Sequence, residues 1–436
     1  MAIRLKVQNS GFESAFQSFL ATRRQSEPDV SNIVSKILSE VQIRGDKALT
    51  EYTSEFDCCD LEIFNMKITP EEVSRAHEQC SSDVVAALEL AALRITDYHR
   101  HQVPKDLDYI DASGVRLGSR WTPIKSIGIY VPGGTAVYPS SVLMNALPAK
   151  IAGVDRIAMV VPTPGGEINP LVLAAASIAG ISEVYRIGGA QAIGALAYGT
   201  ETILPVDKIV GPGNAYVATA KRQVFGTVGI DMLAGPSEIL VIADAKNDPG
   251  WIAADLLSQA EHDSNAQSIL ITDDENFANS VEEALEGQLK KQARAMIADS
   301  SWQTFGAVII VNDLEDAIPL IDRIAPEHLE IATEEPQAFA KRIRNAGAIF
   351  LGRYTPEAIG DYIAGTNHVL PTGRTARFSS GLGVLDFLKR TSIVGCDAIS
   401  LAKIAPAAVS LAKAEGLDAH EYSLRIRLNQ SDDFDS

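Results

Sequence analysis

The chain has 436 residues, and its 38 Lys and Arg against 56 Asp and Glu give a formal net charge of −18 at pH 7. Hydrophobic residues make up 46% and charged residues 22%, a balance typical of a globular protein of roughly two to four domains. The charge argues against nucleic acid as the main partner, because phosphate contacts need clustered Lys and Arg. It leaves a small anionic cofactor open and favours a cationic substrate or a divalent metal.

Cysteine usage and apolar patterning indicate the compartment. Cys58, Cys59, Cys80 and Cys396 form no CxxC pair, which predicts reduced thiols and argues against a cysteine-ligated zinc site. The N-terminal segment lacks the apolar core of a signal peptide. The longest apolar stretch, around 171–181, is far shorter than the roughly 20 residues that span a bilayer. We therefore expect a soluble, cytoplasmic protein with no membrane partner.

The hydrophobic pattern predicts an α/β fold. Residues 1–120 read as mostly helical, because apolar residues recur at helical spacing in 29–54 and 70–99. From residue 121, short apolar runs that end at glycines alternate with helical segments, which predicts parallel sheets covered on both faces. One such unit is expected over 121–240 and a second of similar length over 241–375.

Residues 376–436 break this pattern. They predict a small helical C-terminal extension that ends in a strand-like segment, SLRIRL, at 423–428. Among the histidines, the spacing favours solvated surface positions for His77, His99 and His101, which lie in the polar helical part. Those three are therefore not candidates for chemistry.

Four glycine-rich turns are candidate ligand sites, because ligands of open α/β sheets bind beyond the carboxyl ends of the strands and glycine lets backbone N–H groups approach them. The turns are 131–141, 188–194, 211–216 and 234–238. None carries the dinucleotide fingerprint G-x-G-x-x-G; the turn 211–216 comes nearest and lacks the third glycine. Each turn alone is equally consistent with an ordinary tight connection between a strand and a helix.

Two short polar motifs carry residue types suited to chemistry. Gln259 and His262 lie at i and i+3 near the end of a helical run, the spacing of two ligands on one metal. The alternative is a helix C-terminus at which a histidine is favoured by the helix dipole. Glu327 and His328 follow a proline and form a competent acid–base pair in a predicted loop. A surface turn is the alternative for that pair.

Two further segments extend this set. Glu357 and Asp361 stand at i and i+4, with His368 shortly after them, so Asp361 could complete a metal site and Glu357 could bind a cation. Glu415 and His420 lie in the C-terminal extension. A set of nitrogen and oxygen ligands without thiolate suits zinc or manganese. Spacing alone does not show that these segments meet.

These segments together resemble the histidinol dehydrogenase family, from about Trp121 to Arg427 and more loosely before that. The resemblance is carried by IGIYVPGG, YPSSVLMNALPAKIAGV, GGAQAIGALAYG, VDKIVGPGN, AGPSEILVIAD, DLLSQAEHD, APEHLE, GDYIAGTNHVLPTG and GLDAH. It implies two incomplete Rossmann-like units and a zinc- and NAD-dependent oxidation of L-histidinol to L-histidine, the last step of histidine biosynthesis. Two hydride transfers would pass through L-histidinaldehyde, which stays in the site.

The resemblance also implies roles for individual residues. His328 would take the hydroxyl proton in the alcohol step, and Glu327 would activate the water that attacks the aldehyde. One zinc ion per subunit would be held by Gln259, His262, Asp361 and His420. NAD would contact Tyr130, Gln191 and Asn214. The substrate would contact Ser237, Gln259, His262, His328, Glu357, Asp361, His368, Glu415 and His420.

Family members are homodimers in which the C-terminal extension reaches into the site of the neighbouring subunit. The resemblance therefore implies a domain-swapped homodimer in which Glu415 and His420 serve the partner's active site. One departure is Arg374, which stands in GRTAR where the family pattern leads us to expect a second glycine. This change leaves every assigned ligand in place.

Three other functions are weighed against this one. A relative that oxidises another primary alcohol would use the same zinc and NAD, although the presence of both Glu415 and His420 weighs against it. A zinc hydrolase would use the metal and the acid–base pair, but it would leave Tyr130, Gln191 and Asn214 unexplained. The third is a non-catalytic metabolite-binding protein, which is excluded if Glu327→Gln and His328→Asn abolish oxidation while zinc content and substrate binding persist.

Overall fold

The computed structural model describes residues 2–22, 29–61, 65–133, 138–233 and 235–428. Residues 134–137 of the turn 131–141, Ala234 of the turn 234–238 and the last residues of the C-terminal extension, 429–436, lie outside the described residues. The strands are β1 (Ile3–Lys6), β2 (Leu107–Ile110), β3 (Arg116–Pro123), β4 (Ser126–Tyr130), β5 (Arg156–Val160), β6 (Glu183–Tyr185), β7 (Lys208–Val210), β8 (Gly229–Ile230), β9 (Glu238–Ala243), β10 (Gln267–Thr272), β11 (Ala307–Ile310), β12 (His328–Ala332), β13 (Ala348–Leu351) and β14 (Leu388–Gly395).

The helices lie between and before these strands. They are α1 (Phe12–Thr22), α2 (Ser31–Arg44), α3 (Asp46–Asp57), α4 (Pro70–Gln79), α5 (Ser82–Arg100), α6 (Pro139–Ala152), α7 (Pro170–Ile178), α8 (Gly189–Tyr198), α9 (Ala215–Val224), α10 (Pro249–Ala260), α11 (Glu275–Leu289), α12 (Ala295–Phe305), α13 (Ala317–Ile324), α14 (Pro336–Ala340), α15 (Glu357–Tyr362), α16 (Ala398–Ala414) and α17 (Asp418–Arg425). Among the described residues, no helix is both long enough and apolar enough to cross a bilayer.

Two parallel sheets form the framework of the molecule. The first has the order β6-β5-β4-β7-β8, and the second has the order β11-β10-β9-β12-β13 with β1 added beside β11. In each sheet the first strand of the unit lies in the middle, so the strand order reverses beside it, between β4 and β7 and between β9 and β12. This arrangement confirms the prediction of an α/β fold with two Rossmann-like parallel units.

Both faces of each sheet are covered by helices, as near-continuous apolar strands require. Helices α5, α6 and α7 pack on one face of the first sheet, and α2, α8 and α9 pack on the other. The second sheet lies between α10, α11 and α12 on one side and α1 and α13 on the other. Helices of the N-terminal part thus contribute to both cores. The division of the chain into four parts with the boundaries given above stays a prediction.

Several local expectations were wrong. The segment 423–428 continues helix α17 into a 3-10 turn rather than forming a strand. The C-terminal extension instead supplies β14, which pairs antiparallel with β3 in a small third sheet that also contains β2. His99 is fully buried, with Nδ1 2.7 Å from the carbonyl oxygen of Ile95, and is not a surface residue.

The departure at Arg374 falls on an unusual backbone conformation. Arg374 has φ 66° and ψ 15°, the left-handed region that favours glycine. This conformation explains why a glycine is expected there. The arginine gains a compensating contact, because its Nε donates to the carbonyl oxygen of Arg323 at 2.9 Å.

We predict that Arg374→Gly is more stable than Arg374→Ala by about 1 kcal/mol. Both variants lose the guanidinium group and its hydrogen bond, but only alanine keeps a Cβ in the left-handed region. The free energies of unfolding in urea give the comparison. Glu283, exposed inside α11, is the control: there the glycine variant should be the less stable by about 1 kcal/mol. A lower stability for Arg374→Gly than for Arg374→Ala would contradict the prediction.

Candidate active site

Strand pairing brings the acid–base pair to residue 238. Strand β12 begins at His328 and pairs in parallel with β9, with His328 opposite Ile239. Glu327 Oε2 accepts a hydrogen bond from the backbone N–H of Glu238 at 2.8 Å. His328 Nδ1 lies 2.9 Å from the carbonyl oxygen of Glu238. The sequence predicted a loop for this pair. Glu327 does lie in the connection before the strand, whereas His328 is the first residue of the buried strand β12.

The contact with Glu238 sets the tautomer of His328. A carbonyl oxygen only accepts, so Nδ1 carries the proton and Nε2 keeps its lone pair. His328 Nε2 is buried and has no hydrogen-bond partner among the described residues. Burial lowers the pKa of His328 to about 4, although the charge of Asp361 acts in the opposite direction. The ring is therefore neutral near pH 7 and presents a proton acceptor.

Two carboxylates of the short helix α15 face this ring. Asp361 Oδ1 lies 4.0 Å from His328 Nε2 and 3.9 Å from His368 Nδ1, and Glu357 Oε1 lies 3.4 Å from His328 Nδ1. Ligand atoms of His328, Glu357 and Asp361 lie within 4.8 Å of one another, a group that could hold a metal ion. Of the four ligands predicted from the sequence, this group contains only Asp361.

Glu357 is unusually short of partners. It is 2% exposed, and neither of its carboxylate oxygens has a hydrogen-bond partner among the described residues. Burial raises the pKa of Glu357 well above its usual range, and the negative charges of Asp361, Glu330 and Glu327 add to this effect. A cation bound beside Glu357 would reverse the shift.

A second layer of buried carboxyl groups stands behind Glu357. Glu330, inside β12, accepts a hydrogen bond from the backbone N–H of Glu357 and shares another with Asp255 of α10. Burial raises the pKa of Asp255 to about 6. Sequence reasoning missed Glu238, Glu330 and Asp255. The available signal for Glu330 was a carboxylate between the apolar Leu329 and Ile331, at the centre of the short strand HLEIA.

The end of helix α10 contributes Gln259 and His262. Gln259 is fully buried, and both its amide nitrogen and its amide oxygen lack a hydrogen-bond partner among the described residues. His262 lies two residues beyond the helix and is close enough to lower the pKa values of His328 and His368. The predicted pair therefore reaches the same pocket as Asp361.

His368 joins the two parallel units. Its Nδ1 donates to the carbonyl oxygen of Asp361 at 3.0 Å, and its Nε2 lies 3.3 Å from the hydroxyl of Ser141 on α6. Helix α6 follows β4, so the carboxyl edge of the first sheet meets the amino edge of the second at this pocket. Ser237 stands directly before β9, and its carbonyl oxygen accepts from the N–H of Gln267 at 3.0 Å.

This location corrects one expectation. The turns 131–141, 188–194 and 211–216 follow strands β4, β6 and β7, so they lie at carboxyl ends as predicted. The turn 234–238 instead leads into β9 at its amino end. The pocket around His328 is therefore built on the amino edge of the second sheet, because helix α10 runs back from the carboxyl edge and returns Gln259 to that side.

The three residues predicted to contact a cofactor lie along the carboxyl edge of the first sheet. Tyr130 ends β4, and its buried hydroxyl accepts from the N–H of Gly189 at 3.1 Å. Burial raises the pKa of Tyr130 to about 12. Gln191 is 1% exposed, and its Oε1 has no partner among the described residues. Asn214 is exposed and caps α9 through its side-chain oxygen.

Glu415 and His420 are not brought to this pocket. Both are exposed, Glu415 in the turn that ends α16 and His420 on α17. Several charged groups among the described residues shift the pKa values of His328, Glu357 and His368. Glu415 and His420 are not among those groups. Within one chain, the structure therefore assembles the predicted site without its C-terminal members.

Comparison with known proteins extends over nearly the whole chain. A family-wide sequence model described as histidinol dehydrogenase matches residues 20–428. The chain is 62% identical to the histidinol dehydrogenase of Rhodospirillum rubrum over 431 residues, with 99% of each chain covered. It is 62% identical to that of Rhizobium meliloti over 429 residues, covering 98% of this chain and 99% of the relative.

A solved structure agrees with the sequence comparisons. The crystal structure of histidinol dehydrogenase from Elizabethkingia anophelis superposes with a TM-score of 0.94 at 37% identity, covering 98% of both chains. On these grounds the chain belongs to the histidinol dehydrogenase family of oxidoreductases.

Proposed function

We propose that this protein oxidises L-histidinol to L-histidine through L-histidinaldehyde, with zinc and NAD as cofactors, as the last step of histidine biosynthesis in the cytoplasm. The observation that carries the proposal is the neutral His328, whose unpartnered Nε2 faces Asp361 in a buried pocket with Glu327 beside it. Alcohol oxidation needs such an acceptor for the hydroxyl proton.

A divalent metal fits the residues around Asp361. The buried amide of Gln259 lacks any hydrogen-bond partner among the described residues, which is costly unless the site receives a ligand. The donor set of imidazole, amide and carboxylate without thiolate suits zinc. Gln259, His262 and Asp361 would hold the ion together with His420 of the partner subunit. When bound, zinc would fix the imidazole and amino nitrogens of L-histidinol and retain the aldehyde.

The residues of the chain itself supply the proton steps. His328 Nε2 accepts the hydroxyl proton of L-histidinol, since Nδ1 is already held by Glu238. Glu327 acts as the base for the water that adds to L-histidinaldehyde, and its Oε2 is held in place by the N–H of Glu238. The backbone of Glu238 thus orients the side chains of both Glu327 and His328, so that the two oxidations use adjacent bases.

NAD would bind at the carboxyl edge of the first sheet and, when bound, accept the hydride of each oxidation. Gln191 Oε1 supports this assignment. It is a buried amide oxygen without a hydrogen-bond partner among the described residues, and such atoms usually accept a hydrogen bond from a bound ligand or water. Tyr130 and Asn214 lie on the neighbouring turns of the same edge. Ser141, on the helix that follows β4, already contacts His368, which supports the proximity of cofactor and substrate sites.

The substrate carries a primary amine and an imidazole, and the pocket offers complementary groups. Glu357 provides a buried carboxyl group whose oxygens have no hydrogen-bond partner among the described residues, which suits an ammonium group. Ser237 and His368 line the same amino edge of the second sheet, and Glu415 of the partner subunit would complete the contacts. The acidic balance of the chain also favours a cationic substrate.

A homodimer with shared sites accounts for the C-terminal helices. Glu415 and His420 are exposed there beside large apolar side chains that one chain leaves uncovered. Leu411 is 65% exposed and Ile426 is 50% exposed. Large apolar side chains left exposed on neighbouring helices favour an interface. We infer that a second copy of the chain covers it and receives the two polar residues.

The acid–base assignment predicts different defects for its two members. His328→Asn should lower kcat for L-histidinol by about 10²- to 10⁴-fold, because the first proton acceptor is lost. Glu327→Gln should oxidise L-histidinol at a reduced rate but fail with L-histidinaldehyde, so it forms one NADH per L-histidinol instead of two. Steady-state NADH absorbance gives kcat, the single-turnover NADH yield gives the stoichiometry, and His101→Asn, at an exposed histidine, serves as the control.

Three outcomes would contradict the proposal. Turnover of another primary alcohol without NADH formation from L-histidinol would reassign the substrate. Lack of saturable NAD binding would favour a metal-dependent hydrolase. Wild-type activity in both His328→Asn and Glu327→Gln would show that the pair is not the acid–base machinery.

The metal assignment predicts opposite changes in stability and metal affinity for Gln259→Met. Removing a buried, unpartnered amide should raise the free energy of unfolding of the chelator-treated protein by about 1 kcal/mol. Zinc affinity should fall by more than the roughly 100-fold that loss of an outer-shell partner costs. Urea denaturation and competition titration with a chelator measure the two effects.

Gln288→Met provides the matched control for this experiment. The Gln288 amide on α11 donates to the carbonyl oxygen of Gly250 at 2.8 Å, so its loss should lower stability and leave zinc affinity unchanged. Unchanged zinc affinity in Gln259→Met would refute the metal assignment.

The shared site predicts complementation between inactive subunits. His420→Asn and His328→Asn homodimers should each be inactive, whereas mixed dimers contain one site with both residues intact and should regain up to about half the activity per site. Activity is measured after co-expression with two different affinity tags and purification through both. No recovery in dimers of verified composition would show that each site is built within one chain.

A further inference from the structure

A buried ion pair holds the turn 211–214 at the carboxyl edge of the first sheet. The side chains of Lys221 and Asp231 are 3% and 1% exposed. Lys221 lies on α9, the helix capped by Asn214, and Asp231 directly follows β8. The pair therefore stands behind one of the three turns proposed to contact NAD.

The hydrogen bonds of the pair converge on Gly211. Lys221 Nζ donates to the carbonyl oxygen of Gly211 at 3.0 Å, to that of Met232 at 2.9 Å and to Asp231 Oδ1. All three donors of the ammonium group are thereby used. Asp231 Oδ2 accepts from the N–H of Gly211 at 2.7 Å. The ion pair thus holds both backbone groups of Gly211.

Gly211 needs such support because its conformation is unusual. Its φ is +109°, a region that other residues rarely adopt, and a Cβ there would collide with the carbonyl oxygen of Tyr130. The turn therefore lies directly against the end of β4, where the strand order reverses. This contact fixes the spacing between Tyr130 and Asn214.

We propose that Lys221 and Asp231 are positioning residues for NAD, which keep the Gly211–Asn214 turn pressed against Tyr130 so that the cofactor meets a preformed edge. This inference rests on the proposed binding of NAD at that edge. Buried ion pairs are often replaceable by apolar residues without loss of stability, so stability alone gives little reason for this pair. The pair forms hydrogen bonds to both backbone groups of Gly211, which lies in a turn proposed to contact NAD. These bonds favour a role in positioning that turn.

The double variant Lys221→Met/Asp231→Leu tests the proposal, because it removes both charges and leaves no buried charge unpaired. We expect the dissociation constant for NAD, measured by calorimetry, and KM for NAD to rise about tenfold or more as the turn loosens. KM for L-histidinol and the zinc content should stay within twofold of wild type. A pair that serves stability alone would lower Tm and leave the NAD dissociation constant of the folded protein unchanged.

The matched control lies at the opposite edge of the same sheet. Arg156 and Glu183 form a partly buried ion pair at 2.9 Å at the amino ends of β5 and β6. Arg156→Met/Glu183→Leu removes the same two charges far from the turn and should leave NAD binding unchanged.

Each outcome decides the question. Wild-type NAD affinity in a folded Lys221→Met/Asp231→Leu protein overturns the inference and leaves the proposed function standing. If that protein does not fold, Asp231→Asn is the deciding variant. Asparagine keeps one oxygen for Lys221 but loses the second acceptor, which holds the N–H of Gly211. Weaker NAD binding by this variant supports the inference, and unchanged binding overturns it. Absence of saturable NAD binding in the wild-type protein overturns the proposed function and the inference together.

Discussion

The parallel pairing of β9 with β12 is the constraint on which the pocket depends, because it places residue 238 beside the acid–base pair. The N–H of Glu238 holds Glu327, its carbonyl oxygen holds His328 Nδ1, and its side chain accepts from the N–H of Gly373 at 2.8 Å. The first two contacts come from the backbone, so they depend on strand register and not on the identity of the side chain. A one-residue slip of β12 would turn His328 to the other face of the sheet.

Uncompensated negative charge is the second organising feature. Glu357 and Asp361 face neutral histidines, with Glu330 and Asp255 behind them, and no Lys or Arg in the described ranges forms an ion pair with Glu357 or Asp361. Buried carboxylates without a cation either take up protons or receive a positive ligand. In the proposed function, a divalent ion and a cationic amino alcohol supply that positive charge. Their binding would therefore also stabilise α15, the helix that carries Glu357 and Asp361.

Local sequence signals predicted what depends on local sequence. The apolar runs of β4, β5, β9 and β10 became buried parallel strands, and Gln259 and His262 share one helix end because their spacing is helical. Non-local pairing was out of reach. Nothing in residues 3–6 indicates that they form the outermost strand of the second sheet, paired with β11 some 300 residues later in the chain. The rule of carboxyl ends likewise failed for the turn 234–238, because that turn precedes β9 and so lies at the amino end of the strand.

The two units have the same strand order, yet their candidate site residues lie at opposite edges. The turn after β7, which is proposed to contact NAD, lies at a carboxyl edge, whereas His328 begins a strand at an amino edge and Glu327 directly precedes it. Helix α6 leaves the first edge and brings Ser141 to His368 at the second. In the proposed function, the cofactor and the reacting carbon therefore meet between two units instead of within one.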